Sequence, residues 1–315
     1  MSSIAQYVSV LIDELPGVQA FGMKVSEGLH DWIRKNKSVR EAVDVLHGKQ
    51  AGHPVHPIII YAPMGGWLLG TAFDVVAALS NSRKTRQRAR GMARSLVQIG
   101  TAAAVPSMLT GLADYSGLEE KAVKTGTLHA IFNIIGFASY GVSLITREHK
   151  MRDATLALSL AGLASIIASG YLGGDMVYKH RVGVNHNEPV IKAGEWETVL
   201  PLHELIEQKP RRIMVKDQAV LLYRQQGEVY AIGAVCSHAG GPLQDGKFED
   251  GCVECPWHHS VFELEDGSVR HGPAVFPQPS YDVRILQGQI ELRLRQESLK
   301  PTVAQWPESL MSETI

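Results

Sequence analysis

Cys236-Ser237-His238 and, sixteen residues further on, Cys255-Pro256-Trp257-His258-His259 form the stretch on which the reading of this chain turns. Each segment offers one thiolate and one imidazole, at Cys-x-His and Cys-x-x-His spacing. Two sulfur and two nitrogen donors divided over two loops suit a two-iron cluster in which histidines replace cysteines on one iron. Structural zinc also takes sulfur and nitrogen donors, and Cys252-Val253-Glu254-Cys255 contains a Cys-x-x-Cys, but the usual zinc spacings differ, so zinc is the lesser reading. Cys252 reads as a small buried apolar residue. His259 and His271 read as neighbours of the site rather than donors, because four donors already fill it.

The surroundings carry a resemblance. Cys236-Ser237-His238-Ala239-Gly240-Gly241-Pro242-Leu243 and Cys255-Pro256-Trp257-His258-His259-Ser260 resemble the two cluster loops of the Rieske 2Fe-2S family, in its ferredoxin-type branch. The resemblance implies one 2Fe-2S cluster, with Cys236 and Cys255 on one iron and His238 and His258 on the other. It implies that Ser260, Trp257 and Pro273 surround the cluster, and that His259 stands where the family usually has glycine. High-potential members carry a disulfide between the loops; Gly241 and Trp257 stand at those positions. Ser260 keeps one hydroxyl donor, while Phe262 replaces a tyrosine. Fewer hydrogen bonds to cluster sulfur predict a low-to-middling potential for the class.

The whole chain has 315 residues, room for about two domains. Lys and Arg number 31 against 32 Asp and Glu, so no field for binding polyanions follows and nucleic acid is excluded as the main partner. Three cysteines, two assigned to the cluster, leave no disulfide framework. The fold class expected is α + β in two domains, an N-terminal four-helix transmembrane bundle followed by a small antiparallel β domain. The boundaries are 1–52 for an N-terminal amphipathic segment, 53–183 for the four-span domain, 184–193 for a linker, 194–296 for the cluster domain and 297–315 for a polar tail.

In the first segment no secretory leader is recognisable. Val25, Leu29, Trp32, Ile33, Val39, Val43 and Leu46 recur every three or four positions, which predicts an amphipathic helix lying either on the domain or on a bilayer surface. Four apolar stretches follow, Pro57 to Leu79, Ser95 to Leu112, Leu128 to Ile145 and Ala154 to Leu172, each near the ~20 residues that cross hydrocarbon as helix. Asp74 is the charge within them, and Arg94 is the expected counter-ion. Gly66 and Gly70 form a Gly-x-x-x-Gly for close helix contact.

The His53-Pro54-Val55-His56-Pro57 entry, Asp74, His129 and the Gly173-Gly174-Asp175 exit resemble an uncharacterised four-span family of bacterial membrane proteins. An even number of spans puts both chain ends on one side, with His53, His56, His129, His180 and His186. A haem b ligated by His56 and His129, or a quinone at the same surface with His53, are the candidate uses of these imidazoles, the quinone ranking first. The lipid bilayer and an electron donor or acceptor, protein or quinone, are the expected partners.

From Gly194 onward, short alternating runs such as Ile290-Glu291-Leu292-Arg293-Leu294, with turn pairs at Gln226-Gly227, Asp266-Gly267 and Gln287-Gly288, predict antiparallel strands. A loop from Gly272-Pro273 to Pro279 would shield the cluster. The positive-inside rule puts the arginines of the Ser80 to Ser95 loop in the cytoplasm and the cluster domain outside it. The expected function is a membrane-anchored one-electron carrier. The alternatives are a quinol oxidoreductase, alone or as a subunit, and a redox-sensing membrane protein. A Rieske oxygenase is not expected, because no mononuclear iron domain follows residue 296.

Overall fold

A computed structural model describes residues 15–187 and 195–295. Residues 188–193 of the expected linker and the whole expected tail lie outside them. The chain divides into two compact units. Among the described residues, one comprises 15–35 and 55–182; the other comprises 36–54, 183–187 and 195–295.

The first unit is helical. α1 (Pro16–Lys35) precedes four long apolar helices, α3 (His56–Leu79, irregular at Ile60), α4 (Arg83–Tyr115), α5 (Glu120–Glu148) and α6 (Arg152–Tyr178). All four are long and apolar enough to cross a membrane. They are inverted relative to a water-soluble bundle. Most buried positions are small or hydroxylic, among them Gly66, Ala93, Ala104, Ser143 and Ser159, with Trp67, Val97, Tyr140 and Ile166 among the large exceptions, while Leu68, Ile99, Leu109, Ile134 and Ile167 stand exposed. Large side chains outside and small ones inside is the packing of helices in lipid, where association depends on close backbone approach. A Cβ on Gly66 would come within 2.8 Å of Gly100 Cα, and one on Gly70 within 2.7 Å of Val97.

The four helices form two equivalent hairpins. One constant offset along the chain relates His56 to His129, Trp67 to Tyr140 and Asp74 to Arg147; another relates Gly100 to Gly162, Ser107 to Ser169 and Gly111 to Gly173. Their contacts repeat as well. Gly100 lies against Trp67 and Gly162 against Tyr140; the His56 ring lies against Gly111 and the His129 ring against Gly173. Trp67 and Tyr140 stack on each other, centroids 4.9 Å apart and planes 4° apart, as equivalent residues do about a local twofold.

Three sequence expectations are corrected here. The amphipathic segment is two helices, not one: extended Asn36 separates α1 from α2 (Lys37–His47), and α2 belongs to the second unit. α1 packs on α5, with Gly22 against Thr127 and Val123. The arginine-rich stretch is helical, because Ser82 caps α4 by accepting from Thr85 N, so that the loop is confined to Ser80–Ser82. Asp74 pairs with Arg147, not Arg94. Arg147 donates to both carboxylate oxygens at 2.6 and 2.5 Å, and Ser159 Oγ adds a bond at 2.8 Å, whereas Arg94 reaches Glu148 at the exposed surface.

The second unit is antiparallel β. β1 (Glu197–Pro201), β10 (Gln289–Leu294) and β9 (Tyr281–Leu286) form one sheet in that order; β2 (Arg211–Val215), β3 (Gln218–Gln225) and β4 (Glu228–Gly233) a second; β5 (Lys247–Glu249), β6 (Cys252–Glu254), β7 (Val261–Glu263) and β8 (Val269–His271) a third. Alternation in β10 buries Ile290, Leu292 and Leu294 with Leu222 and Tyr281 in one core. Two-residue turns at Gln226-Gly227 and Gln287-Gly288 have positive φ at both positions, the hairpin geometry their glycines favour. Val184–Asn187 also lie in this unit; His186 N donates to Ser237 O at 3.0 Å.

Candidate iron-sulfur site

Two loops carry the four candidate donors, Cys236, His238, Cys255 and His258. The first, between β4 and β5, closes on itself: Cys236 N donates to Gly241 O at 2.8 Å and Gly240 N to Cys236 O at 2.9 Å, with Gly240 at φ +84°. The second is the turn from β6 into β7, where Cys255 N donates to Ser260 O at 2.8 Å and His259 N to Cys255 O at 3.1 Å. His259 occupies φ +59°, which explains why glycine is the usual residue there. Its imidazole Nδ1 bonds Glu254 at 2.5 Å.

The fold brings the donors together in pairs. Cys236 and Cys255, each 1% exposed, share a hydrogen bond between their sulfurs; the His238 and His258 rings meet edge to face with centroids 5.0 Å apart. The Cys255 thiol is lowered to about 7 by the hydrogen bond from Cys236, helped by the N–H groups of Trp257 and His258. The same bond and burial raise Cys236 well above the usual thiol range, although the N–H groups of His238 and Ala239 favour its thiolate. Oriented amides around both sulfurs are what a negatively charged iron-sulfur group requires.

The site fits the group. Gly241 keeps the loops' approach open: a Cβ there would stand 2.8 Å from Cys255 Sγ and 3.2 Å from the Trp257 ring. Trp257 itself is half exposed.

A third loop, Gly272 to Ser280, is fastened to both others. Ser237 Oγ donates to Phe276 O at 2.6 Å, and Ala274 N donates to Ser260 Oγ at 3.0 Å. Pro273, half-buried, sits between these fastenings and Gly272. Sequence reasoning missed one participant, Asp44 of α2, which accepts from Gly272 N and His271. Its position in an amphipathic pattern gave no signal of that contact.

Comparison with known proteins agrees with the geometry. Residues 195–282 match the Rieske [2Fe-2S] domain, and residues 52–186 match DUF2231, described as a predicted membrane protein. The anthranilate 1,2-dioxygenase ferredoxin subunit of Burkholderia cepacia is 31% identical over 32% of this chain and 93% of its own length. The chain belongs to the Rieske [2Fe-2S] family. The naphthalene 1,2-dioxygenase ferredoxin component of Pseudomonas putida is 28% identical over 29% of this chain and 88% of that protein. Apoptosis-inducing factor 3 of Mus musculus is 29% identical over 33% of this chain, which spans 17% of it. Among solved structures, the ferredoxin of carbazole 1,9a-dioxygenase from Nocardioides aromaticivorans is 30% identical, covers 32% of this chain and all of that one, and superposes with a TM-score of 0.31. As a Rieske protein the chain carries one 2Fe-2S cluster, and its relatives include electron-transfer ferredoxins.

In the helical unit, His56 and His129 hold equivalent positions in the two hairpins, whereas His53 belongs to the other unit. His56 Nδ1 donates to Ser107 O at 3.1 Å and His129 Nδ1 to Ser169 O at 2.8 Å. His129 Nε2 accepts from Asn133 at 3.0 Å, so both nitrogens of that ring are engaged.

Proposed function

We propose that this protein is a membrane-anchored one-electron carrier, with Cys236 and Cys255 holding one iron and His238 and His258 the other. The observation that carries the reading is the convergence of these four donors, thiols with thiols and imidazoles with imidazoles, in a chain that also has four lipid-compatible helices. When bound, the group cycles by one electron. The residues around it would do the rest: amides at both sulfurs favour the negative charge, and the three fastened loops restrict water. Electron transfer of this kind asks no side chain to act as a base on a substrate. The cluster domain would face away from the cytoplasm, since Arg83, Lys84, Arg86, Arg88 and Arg90 crowd the opposite end of α3 and α4. Protease protection of intact spheroplasts tests this; a protected cluster domain would reverse the orientation.

A quinol oxidoreductase is the second reading, favoured by the two equivalent imidazoles His56 and His129 at one end of the helical unit. The commitment of both His129 nitrogens supports a quinone at His56 over a haem between the two rings. A reduced-minus-oxidised visible spectrum of the detergent-purified protein separates the cluster-only protein from one with haem, and the rate of cluster reduction by added quinol separates the carrier from the quinone form. Broad cluster bleaching alone is expected; sharp haem bands would refute the single-cofactor account.

A further inference from the structure

Asp44 is an unfavourable residue where it stands. It lies in the last turn of α2, where the helix dipole opposes negative charge, and it is 4% exposed. A carboxylate is retained in such a place when donors compensate it. Here they do: Gly272 N donates to Oδ1 at 2.9 Å, His271 Nδ1 lies 3.1 Å from Oδ2, and Lys49 Nζ lies 3.6 Å from Oδ2. Lys49 Nζ also donates to Arg270 O at 2.6 Å. The buried His47 ring packs beside the same glycine, 3.1 Å from where a Cβ would be. These donors all come from β8, the residue after it and the turn after α2.

Gly272 opens the third loop. Two residues later Ala274 N donates to Ser260 Oγ, and Ser260 O accepts from Cys255 N. One run of contacts therefore links the α2 carboxylate to a cysteine of the iron-sulfur site. α2 itself lies far outside the residues matched to the Rieske domain, 195–282, and is contributed by the N-terminal part of the chain.

We propose that Asp44 is a positioning residue for the iron-sulfur site: by accepting from Gly272 N and His271 it clamps the third loop over the loops that bear the donors, and its charge depresses the cluster's potential. The proposal rests on the assignment of Cys236, His238, Cys255 and His258 as ligands. Hydrogen exchange at the Gly272 amide reads the clamp whether or not that assignment holds.

The experiment compares full-length wild type, Asp44→Asn and Asp44→Ala in detergent, by Gly272 amide exchange, the rate of cluster bleaching under chelator, and the reduction potential. Asp44→Asn keeps an oxygen for Gly272 N, and its amide nitrogen can face His271 in the other tautomer. Exchange and bleaching should then stay within about twofold of wild type while the potential rises, because a negative charge is gone. In Asp44→Ala the acceptor is lost as well, and both rates should rise about tenfold, the ratio expected for one charge-assisted hydrogen bond. Wild-type rates in Asp44→Ala would overturn the proposal, as would equal acceleration in both variants, which would mean that helix packing alone matters. Should Asp44→Ala not fold, an unchanged potential in Asp44→Asn would be enough to overturn it.

Discussion

Asp74 in the helical unit and Cys255 in the β unit are both buried polar groups, and they find their partners at different distances along the chain. Cys255 takes its backbone donors from Trp257 and His258, the next residues but one and two, and its sulfur partner Cys236 sits across a single pair of strands. Asp74 is satisfied by Arg147 and Ser159, from the other hairpin. A chelating loop must hold its donors close in sequence because the turn itself sets their geometry. A membrane helix cannot turn back, so its buried charge must be met by a separate span. The β unit can therefore be read from spacing, whereas the helical unit can be read only from packing.

The comparison can be broken at its strongest point first. Cys255→Ser removes a donor for which nothing nearby substitutes, so the visible absorbance of the purified protein should vanish while the four spans still insert; retained absorbance would remove Cys255 from the ligand set. Next in size, Arg147→Ala leaves the Asp74 carboxylate buried without its partner, at a cost of about 3–5 kcal/mol in thermal unfolding measured in detergent. Adding Asp74→Ala to it should recover part of that loss. Arg94→Ala removes an exposed pair with Glu148 and should shift stability by less than about 0.5 kcal/mol. Equal effects at 94 and 147 would undo the contrast between local and distant partners.

Smaller effects sharpen the β side. Phe262 is fully buried in the core that also holds Cys236 and Cys255. Phe262→Tyr adds a hydroxyl there and should raise the potential by about 40 mV, the one-electron equivalent of a hydrogen bond of about 1 kcal/mol. An unchanged potential would show the hydroxyl pointing away from the cluster. Cys252 is expected to be inert. Burial, with a hydrogen bond to Glu263, pushes its thiol up to about 11, so the thiolate becomes a sizeable fraction only as the pH nears that value. Iodoacetamide labelling should be negligible at pH 8 and increase only as pH approaches 11, and Cys252→Ala should keep its cluster.

How much was legible follows the same division. Four spans were visible because an uninterrupted run of about twenty apolar residues is rarely anything but a membrane helix, and strands such as β10 were visible because their alternation survives burial of one face. The Cys-x-His and Cys-x-x-His spacing pointed to the Rieske domain that the family match shows. The two-hairpin repeat was hard to see because only scattered positions keep their residue type, such as His56 and His129 or Ser107 and Ser169, while others change chemistry, Trp67 against Tyr140 and Asp74 against Arg147, and the repeated contacts make the correspondence plain. Arg94 is the wrong partner for Asp74 because nearness along the chain is not nearness in the bundle. The break at Asn36 leaves no mark in the pattern because the apolar spacing runs on through it, although the two helices it separates pack on different units.

One measurement tests the central claim most directly: a redox titration of the full-length protein in lipid nanodiscs, followed by electron paramagnetic resonance with nitrogen hyperfine detection. The account predicts a single one-electron wave, one electron per chain, and a reduced cluster coupled to the nitrogens of two histidines. A second electron, a signal without nitrogen coupling, or a zinc-bound protein that accepts no electron would contradict it.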